Sequence, residues 1–252
     1  MIVCFAAHKG GVGKTTSSIN LAAGLARSGS ATLLVDMDPQ GHSSIGLGVE
    51  LGYDEPNVAD VLGDRSFALT KVVHPTQVQN LTIVPSNLRL ATVAETLYVK
   101  FKREERLSKS LARAKDAYDW IIIDCPPALG VLTANAVSAS DRIIVPVQMG
   151  ARSLDGLADL LDLVHLLKGE GFADWHILLT SYDARKTITL DIFSEHLKPY
   201  AAHVLATRIH VSEALNQAQM AMQDIYAFDP RSRGALNYQA LTQELTRVRG
   251  NA

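Results

Sequence analysis

His8-Lys9-Gly10-Gly11-Val12-Gly13-Lys14-Thr15-Thr16 is the stretch on which the reading of this chain turns. A short apolar run, Ile2–Ala7, leads into it and reads as a buried strand. Behind it, Ile19, Ala22, Ala23 and Ala26 recur at helical spacing over Thr15–Ser28, and Gly29 ends the pattern. Strand, glycine-rich loop, Lys-Thr and helix in that order make a phosphate cradle. Gly10, Gly11 and Gly13 permit the tight or positive-φ backbone that lets successive N–H groups face one anion, with Val12 inside the same turn. The positive end of the helix dipole lies at Thr15 and Thr16. Lys14 can neutralise phosphate charge, and the Thr15 hydroxyl can bind Mg²⁺. The pattern GxxxxGK[ST] asks for a glycine where this chain has His8, and Lys9 follows it. The loop is therefore a variant with a second lysine.

Outward from the loop, strand-like and helix-like segments alternate. Ala31–Val35, Leu81–Val84, Trp120–Asp124, Arg142–Val147 and His176–Thr180 read as strands. Leu88–Val99, Glu104–Lys115, Leu132–Ser138, Leu154–Lys168, Thr187–Tyr200 and Ala235–Val248 read as helices. That alternation predicts an α/β fold, a mostly parallel doubly wound sheet flanked by helices. Residues 1–252 show no interdomain linker or repeat, so a single P-loop NTPase domain is expected. Met37–Lys71 and Ala206–Gly234 read as irregular, and long irregular stretches are often functional loops.

The bulk numbers fit a globular chain with a substantial core: 47% hydrophobic, 20% charged. A net charge of −2 means that any affinity for nucleic acid must come from a local basic patch. Two cysteines, Cys4 and Cys125, make no disulfide framework, and a reducing cytoplasmic setting is expected. No signal peptide or membrane-spanning run is read. Asp36 and Asp38 follow an apolar strand, which sets them at the sheet's carboxyl edge, where ligands bind in such folds. Asp124 ends a hydrophobic strand, a costly position for a carboxylate without a partner such as a Mg²⁺ shell.

KGGVGKTT resembles the deviant Walker A motif of the ParA/MinD family of P-loop ATPases. DMDPQGHSS (Asp36–Ser44), PSNLRLA (Pro85–Ala91), YDWIIIDCPPALG (Tyr118–Gly130), IIVPVQMGARSLDGL (Ile143–Leu157), SEAL (Ser212–Leu215) and DPRSRGALNYQAL (Asp229–Leu241) extend the likeness over nearly the whole chain. Together they look most like the Soj-type ParA proteins of chromosome or plasmid partition. The resemblance implies an ATPase using ATP and Mg²⁺, and a homodimer that sandwiches the nucleotides. It implies that Lys9 reaches the partner's phosphates and Lys14 its own. It gives Asp38 the positioning of the attacking water, and Asp38 and Asp124 the second shell of a Mg²⁺ bound directly by Thr15. For the base it points to Tyr226–Pro230, with Pro230 packed on adenine, and to the strand end Thr180–Asp183.

The same resemblance implies non-specific DNA binding by the ATP dimer, slow hydrolysis until a ParB-like partner stimulates it, and association with the nucleoid. Arg185, Lys186, Lys198, Arg208, Arg231 and Arg233 are the candidate phosphate contacts. His210 stands where the family carries its DNA-contacting arginine, with Arg208 two residues earlier. Lys100, Lys102, Arg103, Arg106, Lys109, Arg113 and Lys115 read as the polar face of a helix. The alternative is a MinD-like ATPase that cycles on membranes or positions a protein cargo. It would need bulky apolar residues in the end segment LTQELTRVRGNA, which has few, and no membrane partner is expected. An iron–sulfur relative would need exposed cysteines. A non-enzymatic nucleotide-binding scaffold would need no water-positioning Asp38.

Overall fold

The computed structural model describes residues 1–150 and 154–249, without the side chains of 187–190, 248 and 249. Part of the Ile143–Leu157 motif and the last three residues of the end segment lie outside these. In chain order the elements are β1 (Ile2–Phe5), α1 (Lys14–Arg27), β2 (Thr32–Asp36), α2 (His42–Gly46), α3 (Val58–Gly63), β3 (His74–Pro75), β4 (Leu81–Val84), α4 (Arg89–Leu97), α5 (Arg106–Leu111), β5 (Trp120–Asp124), α6 (Val131–Ala139) and β6 (Arg142–Gln148). Then follow α7 (Leu157–Lys168), β7 (Trp175–Tyr182), α8 (Thr187–Leu197), β8 (Val204–His210), α9 (Glu213–Met220), α10 (Ile225–Phe228) and α11 (Arg233–Arg249).

The strands form one sheet in the order β3-β4-β2-β5-β1-β6-β7-β8. All pairings are parallel except β3 with β4. Strands buried on both faces need apolar residues at every position, which is why WIIID and TLLVD read as continuous runs. Alternate side chains enter two cores. Cys4, Val35 and Ile123 face a layer containing α3 to α7, and Val3, Phe5, Leu34 and Ile122 face α1 and α9 to α11. The register sets Phe5 and Asp36 each opposite Asp124, so β1, β2 and β5 end level with one another. That common end is where the glycine-rich loop emerges.

The structure corrects three readings. The stretch 37–71 contains α2 and α3, and the stretch 206–234 contains most of β8 with α9 and α10. The helix expected over 104–115 is α5 with a 3-10 turn on either side. Its polar face is not purely polar, because Arg106 turns inward and is 9% exposed.

Candidate nucleotide site

The loop between β1 and α1 is held open by its own backbone. Gly11 and Gly13 adopt φ of 72° and 90°, the left-handed region that glycine tolerates without penalty. Gly13 caps α1 without a side-chain hydrogen bond, and the first turn of α1 holds no acidic residue. The leading N–H donors of that helix therefore remain available to an anion. From the end of β7, the Thr180 hydroxyl donates to the Val12 carbonyl at 2.8 Å and fixes the far side of the loop.

Lys14 is 7% exposed and its ammonium donates to the Lys9 carbonyl at 2.7 Å. Burial lowers its pKa, and the charges of Asp124 and Asp38 oppose that shift. The Lys9 side chain is exposed, as is Gly10. Thr15 and Thr16 line the cleft beside the loop, whose volume is about 440 Å³.

Opposite the loop lies a network of buried carboxylates. Asp124 is fully buried and accepts from Ser43 Oγ at 2.6 Å and Ser18 Oγ at 3.3 Å, with the Thr15 hydroxyl close by. Asp36 accepts from the Ser44 N–H and hydroxyl at 2.9 and 2.7 Å and from the Asp38 N–H at 3.0 Å. Burial, then the neighbouring Asp124 charge, push Asp36 up to about 7. Burial likewise lifts Asp124 to about 6, against the serine and threonine hydroxyls that favour its ionised form. Two carboxyls kept this dry favour a cation nearby. Asp38 is 7% exposed, lines the cleft, and accepts from the Gln40 N–H at 2.9 Å. The structure thus gathers Gly10, Gly11, Gly13, Lys14, Thr15, Thr16 and Asp38 around one cleft, with Asp124 directly behind Thr15.

Pro230 falls elsewhere. It is exposed and is not among the residues that line the cleft. Asn216 and Gln219 of α9 line it instead, with Gln40, His42 and Pro127. Ser43 and Ser44 belong to the quoted DMDPQGHSS stretch, so a reading of hydroxyls beside carboxylates could have singled them out. Nothing in the polar run LNQAQM marks Asn216 or Gln219 in advance, because only the return of α9 beside α1 brings them to the cleft.

The basic candidates form a second region. Arg185 and Lys186 follow β7, Lys198 follows α8, and Arg208 sits on β8. Arg231 and Arg233 are exposed at the start of α11, which packs along β8. Arg208 stacks over the Tyr182 ring at 4.7 Å and donates to its hydroxyl at 2.7 Å. His210 Nδ1 lies 3.0 Å from Asn237 Oδ1 and is occupied there. Arg185 is folded onto Asp183 by two guanidinium bonds of 2.9 and 2.8 Å. Lys198 pairs with Glu195 at 2.6 Å. Both cysteines are buried.

A parallel sheet whose first strand runs through a glycine-rich loop into a helix N-terminus, with a buried lysine and two strand-end carboxyls beside it, defines a P-loop ATPase. Residues 1–177 match the family model described as an AAA domain. The chain is 41% identical over 247 residues to the sporulation initiation inhibitor protein Soj of Bacillus subtilis, covering 97% of each chain. It is 37% identical to the chromosome partitioning protein ParA of Myxococcus xanthus, over 97% of this chain and 87% of that one. This chain belongs to the Soj/ParA family of partitioning ATPases. Among solved structures, a cobyrinic acid a,c-diamide synthase from Mycobacterium smegmatis with a bound ATP analogue and magnesium is similar at 31% identity and a TM-score of 0.82, covering 98% and 94% of the two chains. The cell division ATPase MinD of Pyrococcus furiosus shares the fold, with a TM-score of 0.77 at 23% identity. Among the described residues, no helix is long and apolar enough to cross a membrane.

Proposed function

We propose that this chain is a partition ATPase that binds Mg·ATP in the Lys14 cleft, pairs with a second copy while ATP is bound, and holds non-specific DNA in that state. The observation that carries the proposal is the joining of two lysines in one loop: buried Lys14 faces the cleft, and exposed Lys9 faces away from the chain's own core. Gly10, Gly11, Val12 and Gly13 present backbone N–H groups to the phosphates, while Lys14 balances their charge. Thr15 would ligate magnesium directly, with Asp38 and Asp124 in its outer shell, and the ion would neutralise charge on the terminal phosphates. The hydroxyls of Thr15, Ser18 and Ser43 already converge on Asp124, which fits that role. Asp38, fixed by the Gln40 N–H, orients the attacking water in line with the terminal phosphorus. Lys9 extends across the dimer to the partner's nucleotide.

Hydrolysis is slow without a ParB-like activator, because a switch needs a long-lived ATP state. DNA phosphates are met by the flank of Arg185, Lys186, Lys198, Arg208, Arg231 and Arg233, doubled by dimerisation, which places the protein on the nucleoid. The base is held by the late segment Tyr226–Pro230 and the strand end Thr180–Asp183, with Pro230 the candidate adenine contact from resemblance. The test is DNA binding by wild type and Lys9→Ala with ATP, ADP or no nucleotide. Wild type should bind only with ATP, and Lys9→Ala in none of the three. Equal binding by wild type in all three states would falsify the proposal.

A further inference from the structure

The segment between α4 and α5 carries an apolar surface that the nucleotide chemistry does not use. Val99 is 87% exposed and Phe101 78%, with Tyr98 at 53% beside them. Single exposed apolar side chains are ordinary, but three within four residues of one loop form a patch.

Its position matters more than its size. The Tyr98 hydroxyl lies against Gly130, where a Cβ would come within 3.2 Å of it. Gly130 closes the loop that leaves Asp124, and Pro127 of that loop abuts Gly10, where a Cβ would lie 3.9 Å away. One surface therefore runs from exposed Lys9 and Gly10 through exposed Pro127 to Tyr98, Val99 and Phe101.

Of the cations on the same loop, exposed Lys100 faces outward, and the other two are committed within the chain. Lys102 pairs with Glu105 at 3.4 Å, and Arg103 donates to the Tyr98 carbonyl at 2.5 Å. An anionic membrane or a nucleic acid would need those charges turned outward. An apolar seam would not.

We propose that this loop is the apolar part of the seam between two copies of the chain, packing on the second copy only when nucleotide completes the surface around Lys9. This rests on the ATP-dependent dimer proposed above. Three partly exposed large side chains offer roughly 400 Å² per copy, taking 150–250 Å² as the scale for a large side chain. A stable interface needs about 800 Å² per partner. The loop alone is thus too small to hold a dimer, and the phosphate edge must supply the remainder. That shortfall makes pairing conditional on the nucleotide.

The experiment is sedimentation of the full chain with magnesium and a slowly hydrolysed ATP analogue. Wild type is compared with the double variant Val99→Asp, Phe101→Asp, and binding of a fluorescent ATP and the melting temperature are measured alongside. Wild type should dimerise. The variant should raise the dimer dissociation constant about tenfold or more, with unchanged melting and monomer nucleotide affinity within about twofold. Both native cysteines are buried, so Val99→Cys adds one exposed thiol to the chain. A short bismaleimide should join two such chains with the ATP analogue and not with ADP. Wild-type dimerisation by the double variant, with no nucleotide-dependent cross-link, overturns the seam and leaves the dimer standing. A wild type that stays monomeric with every nucleotide overturns the dimer and the seam together.

Discussion

The strand ends of β1, β2 and β5 and those of β7 and β8 are built on opposite plans. At the first, polar groups are buried and locked. Asp36 and Asp124 are 0% exposed, and hydroxyls and N–H groups saturate them. At the second, the register slips twice between β7 and β8, and the cations lie on the surface, held by Asp183, Glu195 and the Tyr182 ring. A site that positions a water and a metal must pay for rigidity through desolvation. A surface that holds any DNA sequence needs charge and reach, and screening makes each exposed pair worth little. On the function proposed above, the difference would separate chemistry from adhesion within one sheet.

If the first plan is right, Lys14→Ala should lower phosphate release by on the order of 10³-fold with the fold intact. A loss below tenfold would place the chemistry elsewhere. Asp124→Asn should also stop hydrolysis, yet it should stabilise the metal-free protein at alkaline pH. The folded pKa of about 6 lies above the ordinary value of 3.8, so the protonated form is the one that folding favours. Its contribution to stability is present in full below about pH 4 and is lost as pH rises through about 6. Melting curves with EDTA should show wild type losing stability between about pH 4 and 6 relative to the variant, by roughly 1–3 kcal/mol, with parallel profiles above that range. Profiles parallel through that range as well would remove the buried-carboxylate account.

On the second plan, Arg208→Ala should weaken DNA binding several-fold, about equally on all sequences, and reduce the salt slope by about one. Its DNA-free ATPase should stay at the wild-type rate. An ATPase defect there would erase the division between the two regions. The gentlest change concerns the sheet edge. Glu244 on α11 accepts the Ala206 and Thr207 N–H groups at 2.8 and 2.9 Å, so the open side of β8 is capped by a helix. Glu244→Ala should cost about 1–2 kcal/mol, read as a lower melting temperature, and should leave hydrolysis unchanged.

These two regions also differ in what the amino-acid order reveals. Trp120–Asp124 and Leu81–Val84 carry the bounds expected from their apolar runs, because strands buried on both faces leave no alternative reading. β8 reads VLATRIH and alternates, with Leu205 and Ile209 buried and Ala206 and Arg208 exposed, but only those two inward positions are large and apolar and its pairing with β7 is irregular, so it stands out less than the all-apolar runs. The phosphate loop, Asp38 and Asp124 are visible because their chemistry is local to short motifs. Asn216, Gln219 and the inward turn of Arg106 depend on which helix returns over which, information that residue spacing does not carry.

The bond from Lys14 to the Lys9 carbonyl has a further consequence. The loop is closed by an internal latch, and whatever enters must displace it. A charged hydrogen bond is worth about 1.5–3 kcal/mol, which sets an admission threshold. A lone phosphate ion, bound by few donors, is penalised, while a nucleotide gripped along its whole chain is not. The same displacement frees the peptide that carries Lys9, so loading one lysine adjusts the aim of the other. The latch ties the inward-facing charge to the peptide of the outward-facing one, so a ligand that displaces it would act on both.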